Sequence, residues 1–439
     1  MLLLFLSILL IIVGTVRFKV HPFLVLFVGA LAYGLLAGMP VELVLQSVKD
    51  GFGGILGSIG LVIVMGVIIG AFLEHTGGAQ ALASKVLSVI GEKRLHSAMG
   101  LIGYIVSIPV FCDSGFIILH PLNKALTKKA GKRLAGTAIA LALGLLASHA
   151  MVPPTPGPIA AAGIIGANLG LVILAGLGVS LVALIPAIFF AKWYAARVSL
   201  PIDEETPQIE EQEHDMPPAW KAFLPIGIPI LLIVLKSLND HFSFLRSGPA
   251  ADVVNLLGTP VIALLVGLGF ALLLPKKLEK HMLSGSGWVG EALKSAAVIL
   301  MVTGAGGIFG KMLQNSGLGD VISQHLQGVS LGILLPFIVA AALKTAQGSS
   351  TVAMITTASV VAPLLPALGL DSDLSKALSV VAIGAGSLVV SHANDSFFWV
   401  VTQMTGMDVG KGYRLHTLGT AVLGLSAALL VLVAWWLLG

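Results

Sequence analysis

Three short stretches of this 439-residue sequence set polar groups among almost wholly apolar neighbours: "PVFCDSG" (Pro109–Gly115), "KTAQGSSTV" (Lys344–Val352) and "SHANDS" (Ser391–Ser396). In the first, Asp113 is a lone acid that can take up and release a proton. It can equally serve as a carboxylate held by backbone amides, and both readings stand. Ser114 and Gly115 beside it offer a hydroxyl and open backbone to a ligand. In the second, Lys344 is a cation in an apolar setting, which is costly unless it serves a partner such as a substrate carboxylate. The alternative is a lysine snorkelling to the membrane surface. Gln347, Ser349, Ser350 and Thr351 can replace the hydration of a polyol or carboxylate, although Ser and Thr in membrane helices often bond their own backbone. In the third, Asn394 and Asp395 need partners, Asp395 as a second proton carrier and Asn394 as a ligand contact. A fourth stretch, "HAMVPPTPGP" (His149–Pro158), adds Thr155 and Gly157 as contacts. His149 and His392 fall in matching "SHA" triplets and are expected to be equivalent, as packing residues at a helix break or as proton relays. Glu74 and His75 read as a solvated helix end, and Cys112 as a small packing residue.

Such residues matter only if the chain holds them in lipid, and composition says that it does. The sequence is 56% hydrophobic and 10% charged, with a mean hydropathy of +1.00. A soluble fold of this size could not hide so much apolar surface, and many runs reach the ~20 residues that cross a bilayer as helix. The expected class is an all-α polytopic membrane protein. Met1–Val16 has no basic leader or small-residue cleavage site and is expected as a retained span. A single cysteine allows no intrachain disulfide. No paired Cys/His spacing, phosphate loop or nucleophile elbow is present, so no cofactor, metal, nucleic-acid partner or enzymatic activity is expected.

Basic residues set the topology, because short loops rich in Lys and Arg stay cytoplasmic. Arg17 and Lys19 place the N-terminus outside, and Lys411 and Arg414 before the last span, Thr417–Leu438, place the C-terminus outside as well. Between them, His21–Gly38 goes out, Met39–Asp50 is an amphipathic connection, and a span near Gly53–Leu73 returns. The basic clusters Lys85–Arg94 and Asn123–Arg133 are both internal, yet Ser97–Leu122 between them is too short to cross twice at ~20 residues a crossing. It can form a re-entrant hairpin of two half-length arms, with its tip near Pro109–Gly115. From Leu134 to Ala191 there is no Asp, Glu, Lys or Arg, and both ends are internal. One crossing there is broken at "HAMVPPTPGP", since consecutive prolines remove backbone donors and clash with the preceding turn. Backbone broken at membrane depth survives where protein shields it or where it lines a wet cavity.

The second half repeats this plan. The expected organisation is a first repeat over 1–198, with a hairpin at 97–122 and a broken helix at 134–168. An acidic cytoplasmic linker follows at 199–221. The second repeat covers 222–439, with a hairpin at 331–368 and a broken helix at 377–407. Its spans near Phe223–Leu238 and Thr259–Leu274 flank an external loop, and Ala292–Leu313 leads outward. "GAFLEHTGGAQALAS" (Gly70–Ser84) lines up with "GKMLQNSGLGDVISQ" (Gly310–Gln324). Halves of opposed orientation with broken helices at the midplane point to a secondary transporter, with substrate and ion between hairpin tips and broken helices. A channel fits the opposed broken helices less well. An intramembrane enzyme would need a catalytic spacing that His149, His392 and Asp395 do not form.

"PVFCDSGFIIL", "HAMVPPTPGP", "AQGSSTVAMIT" and "SHANDSFFWV", in this order along the chain, resemble the motifs of the gluconate permease family, within the ion transporter superfamily. The resemblance implies proton-coupled import of a small hydroxylated organic acid across a bacterial inner membrane. Gluconate, other sugar acids and D-serine are the substrates of the family, and a sodium-coupled carboxylate carrier of the same fold is the main alternative. It also implies a homodimer with a moving, elevator-like transport part. Asp113 then matches the acidic position of the first hairpin, Lys344–Thr351 the second hairpin, and Ser391–Ser396 the second broken helix. Where gluconate-type members often have histidine this chain has Thr155, and Cys112 replaces an aromatic. The departures point to a different, smaller hydroxy acid.

Overall fold

A computed structural model describes residues 2–200, 216–242, 245, 248–317, 332–393 and 395–438. Among the described residues every regular element is helical. The first half runs α1 (Leu2–Val16), α2 (Pro22–Leu36), α3 (Val41–His75), α4 (Gly78–Ile90), α5 (Leu95–Val106), α6 (Cys112–Lys129), α7 (Leu134–Met151), α8 (Pro156–Ile165) and α9 (Leu169–Trp193). The second runs α10 (Ala219–Phe242), α11 (Pro249–Leu257), α12 (Pro260–Leu272), α13 (Trp288–Asn315), α14 (Leu334–Gln347), α15 (Ser350–Val361), α16 (Asp373–Gly386) and α17 (Ser396–Thr405). It closes with α18 (Val409–Leu438), which contains a π turn at Tyr413–Thr417. Six stretches are long and apolar enough to span a bilayer, seven if α11 and α12 count as one. The protein is a multi-pass membrane protein.

α7 is buried along its whole length, so it meets protein, not lipid, on every side. Glycines let its neighbour come close. A Cβ on Gly144 would strike the Gly100 carbonyl, and one on Gly103 would strike the Leu141 carbonyl. Small residues at such crossings allow backbones to touch where no hydrophobic force drives helices together. Lipid is met instead by outward stripes such as Leu181, Ile185 and Phe189 on α9 and Leu425 and Leu429 on α18, all exposed.

The hairpins and breaks fall where the helix-breaking residues lie. α5 and α6 are joined by the turn 107–111, in which Ser107 Oγ donates to the Val110 carbonyl at 3.0 Å. α14 and α15 are joined at Gly348, whose φ of +85° suits a residue without Cβ; Ser349 then caps α15, its Oγ accepting from the Val352 amide at 3.3 Å. α7 ends at Met151 and α8 starts with Pro156 at its first position, where the missing N–H costs nothing. α16 ends at Gly386 and α17 starts at Ser396, capped by Asp395.

Three expectations need correction. Met39–Asp50 is no separate connection, because α3 starts at Val41 and runs unbroken past Asp50. Nothing there stops the helix, and Gly51 nests against α13, where a Cβ would lie 2.6 Å from the Gly307 carbonyl oxygen. The loop before Thr259 contains α11, bent by 72° from the helix that follows at Pro260, which cannot continue it. Finally, His149 and His392 are not equivalent. Ser148–Ala150 is helical, three residues ahead of two prolines, whereas Ser391–Ala393 lies in open backbone because α16 has already ended at Gly386.

Candidate functional site

The tip of the second hairpin meets the second helix break, and the polar groups of both converge there. Lys344 lies in the last turn of α14 with its side chain 1% exposed. Its Nζ donates to the Gly348 carbonyl of its own hairpin tip and to Asp395 Oδ2 at 2.6 Å. Asp395 accepts twice more: from Ser391 Oγ at 2.5 Å on Oδ2 and from the Phe397 amide at 3.1 Å on Oδ1. That last bond also places the carboxylate at the N-terminus of α17, where the helix dipole favours negative charge. Ser391 Oγ in turn meets His416 Nε2 at 2.9 Å. His416 belongs to the π turn of α18 and is fully buried, against the rings of Phe397 and Phe398. Lys344 is therefore buried and paired within the protein, and does not snorkel to the surface.

The first hairpin approaches from the α6 side. Asp113 stands in the first turn of α6, and its Oδ1 accepts from Ser396 Oγ at 3.5 Å. It feels the charges of both Asp395 and Lys344, as does His149 near the end of α7. His149 lies beside Phe111 of the first tip, ring centroids 6.0 Å apart, and its Nδ1 has no partner among the described residues. Phe116 of α6 packs edge-on against Phe397 of α17 at 5.9 Å, which fixes the first hairpin to the second broken helix.

Other expected contacts lie at the rim or further off. Ser350 Oγ donates to the Ser387 carbonyl at 2.9 Å, and His392 Nε2 to the Thr345 carbonyl at 2.8 Å. Both bonds tie the second hairpin to the second break. Ser349 is exposed, and Thr351 is half-buried. Ser114 bonds Glu74 of α3, so Glu74 is tied to the first tip, not a purely solvated helix end. Gly115 faces the Leu145 side chain of α7. Thr155 Oγ1 donates to the Val152 carbonyl at 2.6 Å, and Gly157 packs against Met354 of α15. The Gly157 contact places the first break on the second hairpin's far arm. Asn394 and the Gln347 side chain lie outside the described residues.

Ser391, Ser396 and His416 join this site without having been singled out in the sequence, although Ser391 and Ser396 delimit a motif that the resemblance had already matched. Ser391 was within reach, inside "SHANDS", but His416 sits in "YRLHTLG", which reads only as the entrance to a span. A separate cleft of about 670 Å³ opens between α3, α13 and the far end of the second hairpin. Asp50, Lys311, Asp371 and Lys376 line it, and none of the expected site residues does. Among the described residues no cluster of His, Cys, Asp and Glu could hold a metal ion.

The fold is shared with the YdaH transporter of Alcanivorax borkumensis, whose crystal structure was described as having an unusual topology. The TM-score is 0.63 over 95% of this chain and 98% of that one, at 17% identity. In sequence the chain is 36% identical to a gluconate permease of Pseudomonas aeruginosa, over 95% of this chain and 93% of that protein. It is 31% identical to the low-affinity gluconate transporter of Escherichia coli K12, over 98% and 97%, and 37% identical to an uncharacterized permease of Haemophilus influenzae, over 92% and 86%. Residues 1–437 match the GntP family permease, and with a transporter fold and buried charges at a hairpin tip in hand, the chain belongs to that family.

Proposed function

We propose that the chain is a proton-coupled symporter for a small hydroxylated organic acid, gluconate or a related sugar acid. It acts in the bacterial inner membrane with both termini periplasmic. The single observation that carries this reading is the buried Lys344 amid Asp395 and Asp113: a cation for an organic anion and carboxylates for protons, where hairpin tip and broken helix meet. The names of the relatives in Pseudomonas aeruginosa and Escherichia coli support gluconate as the first substrate to try. Ser114, Gly115, Gln347, Ser349, Ser350, Thr351 and Asn394 are the contacts for hydroxyls and carboxylate, with Thr155 and Gly157 behind the second hairpin. Asp113, Asp395, His149 and His392 are the proton-handling candidates. The two halves, 1–198 and 222–439 joined by the linker 199–221, act as inverted repeats. In a homodimer, the hairpins and broken helices would move elevator-fashion against the remaining spans.

Reconstituted vesicles test this. With an inward proton gradient and no sodium, they are expected to accumulate gluconate, glycerate, lactate or D-serine, and to lose the accumulation when a protonophore collapses the gradient. Accumulation that needs sodium and ignores the proton gradient would replace the proton with a sodium ion in the same fold.

A further inference from the structure

We propose that Lys344 changes partner in each cycle: it holds Asp395 in the arrangement described here, and holds the substrate carboxylate when Asp395 carries the coupling proton. The exchange rests on the symporter reading above and names the groups that join its two cargoes.

Charge balance is the argument. Lys344 and Asp395 are 1% and 8% exposed at their side chains and together neutral. A second carboxylate arriving at Lys344 would leave two anions on one cation in a poorly solvated site, which is strongly unfavourable. One proton on Asp395 restores neutrality and frees the ammonium. Asp113, the other acid whose charge reaches this point, makes an added anion without a proton still less welcome. The remaining titratable groups facing Asp395 are Cys112 on α6, His149 on α7 and His416 on α18.

A path for the proton is present. The Ser391 hydroxyl has one hydrogen, which it gives to Asp395 Oδ2 at 2.5 Å. At the 2.9 Å contact, His416 Nε2 must then be the donor. His416 Nδ1 is left as a buried acceptor with no partner among the described residues. A proton arriving at Nδ1 lets Nε2 pass its hydrogen to Ser391 Oγ, which passes its own to Asp395 Oδ2. One N–H and one O–H bond break, and an N–H bond and two O–H bonds form, counting the arriving proton. His416 ends as its other neutral tautomer, Asp395 is neutral, and Lys344 is released. His416 and Ser391 thus position and load Asp395 without touching substrate.

Calorimetric titration of the full chain in detergent with gluconate, in buffers of different ionisation enthalpy, counts the protons. The parent is expected to take up about one proton per gluconate, with affinity falling on the order of tenfold per pH unit once Asp395 must be protonated to bind. Asp395→Asn is expected to bind with no proton uptake and no pH dependence, and Lys344→Gln not to bind. The neutral double variant Lys344→Gln/Asp395→Asn is the folding control, expected to fold and not bind. His416→Gln is expected to keep the proton count but accumulate gluconate more slowly in vesicles, by about a hundredfold or more, the scale of a lost proton-transfer group; an unchanged rate removes the relay. Binding by the parent without proton uptake, or a count lost in Asp113→Asn and kept in Asp395→Asn, overturns the exchange. Should Asp395→Asn fail to fold, the parent's count still decides. Failure of the parent to bind gluconate, glycerate, lactate and D-serine alike would instead overturn the symporter reading.

Discussion

At the scale of residues, the Lys344–Asp395 pair governs stability as well as chemistry. Removing one partner strands the other charge away from water, whereas removing both does not. Lys344→Gln or Asp395→Asn alone is therefore expected to destabilise the detergent-solubilised protein by about 3–5 kcal/mol. The double variant should regain most of that loss. Thermal unfolding followed by tryptophan fluorescence measures this, and a double variant as unstable as the worse single one would show that the two charges do not act as a unit. Both residues were legible in the sequence, because an ionised group in a long apolar stretch demands a reason. Their pairing was not, since 51 positions separate them and nothing local fixes which carboxylate a lysine meets. His416 was invisible for a related reason: its role depends on a π turn that rotates it toward Ser391, and no composition cue marks such a turn.

At the scale of elements, prolines and glycines made the breaks readable, since a missing N–H or Cβ acts within a turn or two of its own position. That is why the hairpin tips and the first break fall within a few residues of where the sequence puts them. The mistaken equivalence of His149 and His392 arose where α16 ends without a proline, through packing against the second hairpin. Helix α11 and the unbroken start of α3 were missed because amphipathic polar stretches read alike as connection or as helix. Glycine also separates contact from tolerance. Gly144 touches α5, and Ala there is expected to cost about 1–3 kcal/mol through overpacking. Gly53 on α3 has nothing within 4 Å of an added Cβ, so Gly53→Ala is expected to stabilise the helix by about 0.5–1 kcal/mol. Comparing the two melting shifts checks the close crossing of α5 and α7; equal shifts would deny it.

At the scale of the whole molecule, transport requires the two hairpin tips to belong to opposite faces of the membrane. The basic clusters Lys85–Arg94 and Asn123–Arg133 flank the first hairpin, and on the proposed topology the positive-inside bias would root it in the cytoplasm. In the proposed topology the second hairpin lies between an outward α13 and an inward α16–α17 passage, which would root it outside. Phe111 at the first tip is half-buried and Ser349 at the second is exposed, so each offers a position for a reporter once the native thiol is removed. In a Cys112→Ala background, Ser349→Cys is expected to react with a membrane-impermeant maleimide added outside intact cells. Phe111→Cys should react only when the reagent reaches the cytoplasmic side. Gluconate at low pH should slow both reactions, because both tips border the same charge cluster. If Phe111→Cys and Ser349→Cys label from one side alone, the halves are not inverted. Lys344 and Asp395 would then sit in a pore with a single mouth, from which a substrate could bind and leave but never cross.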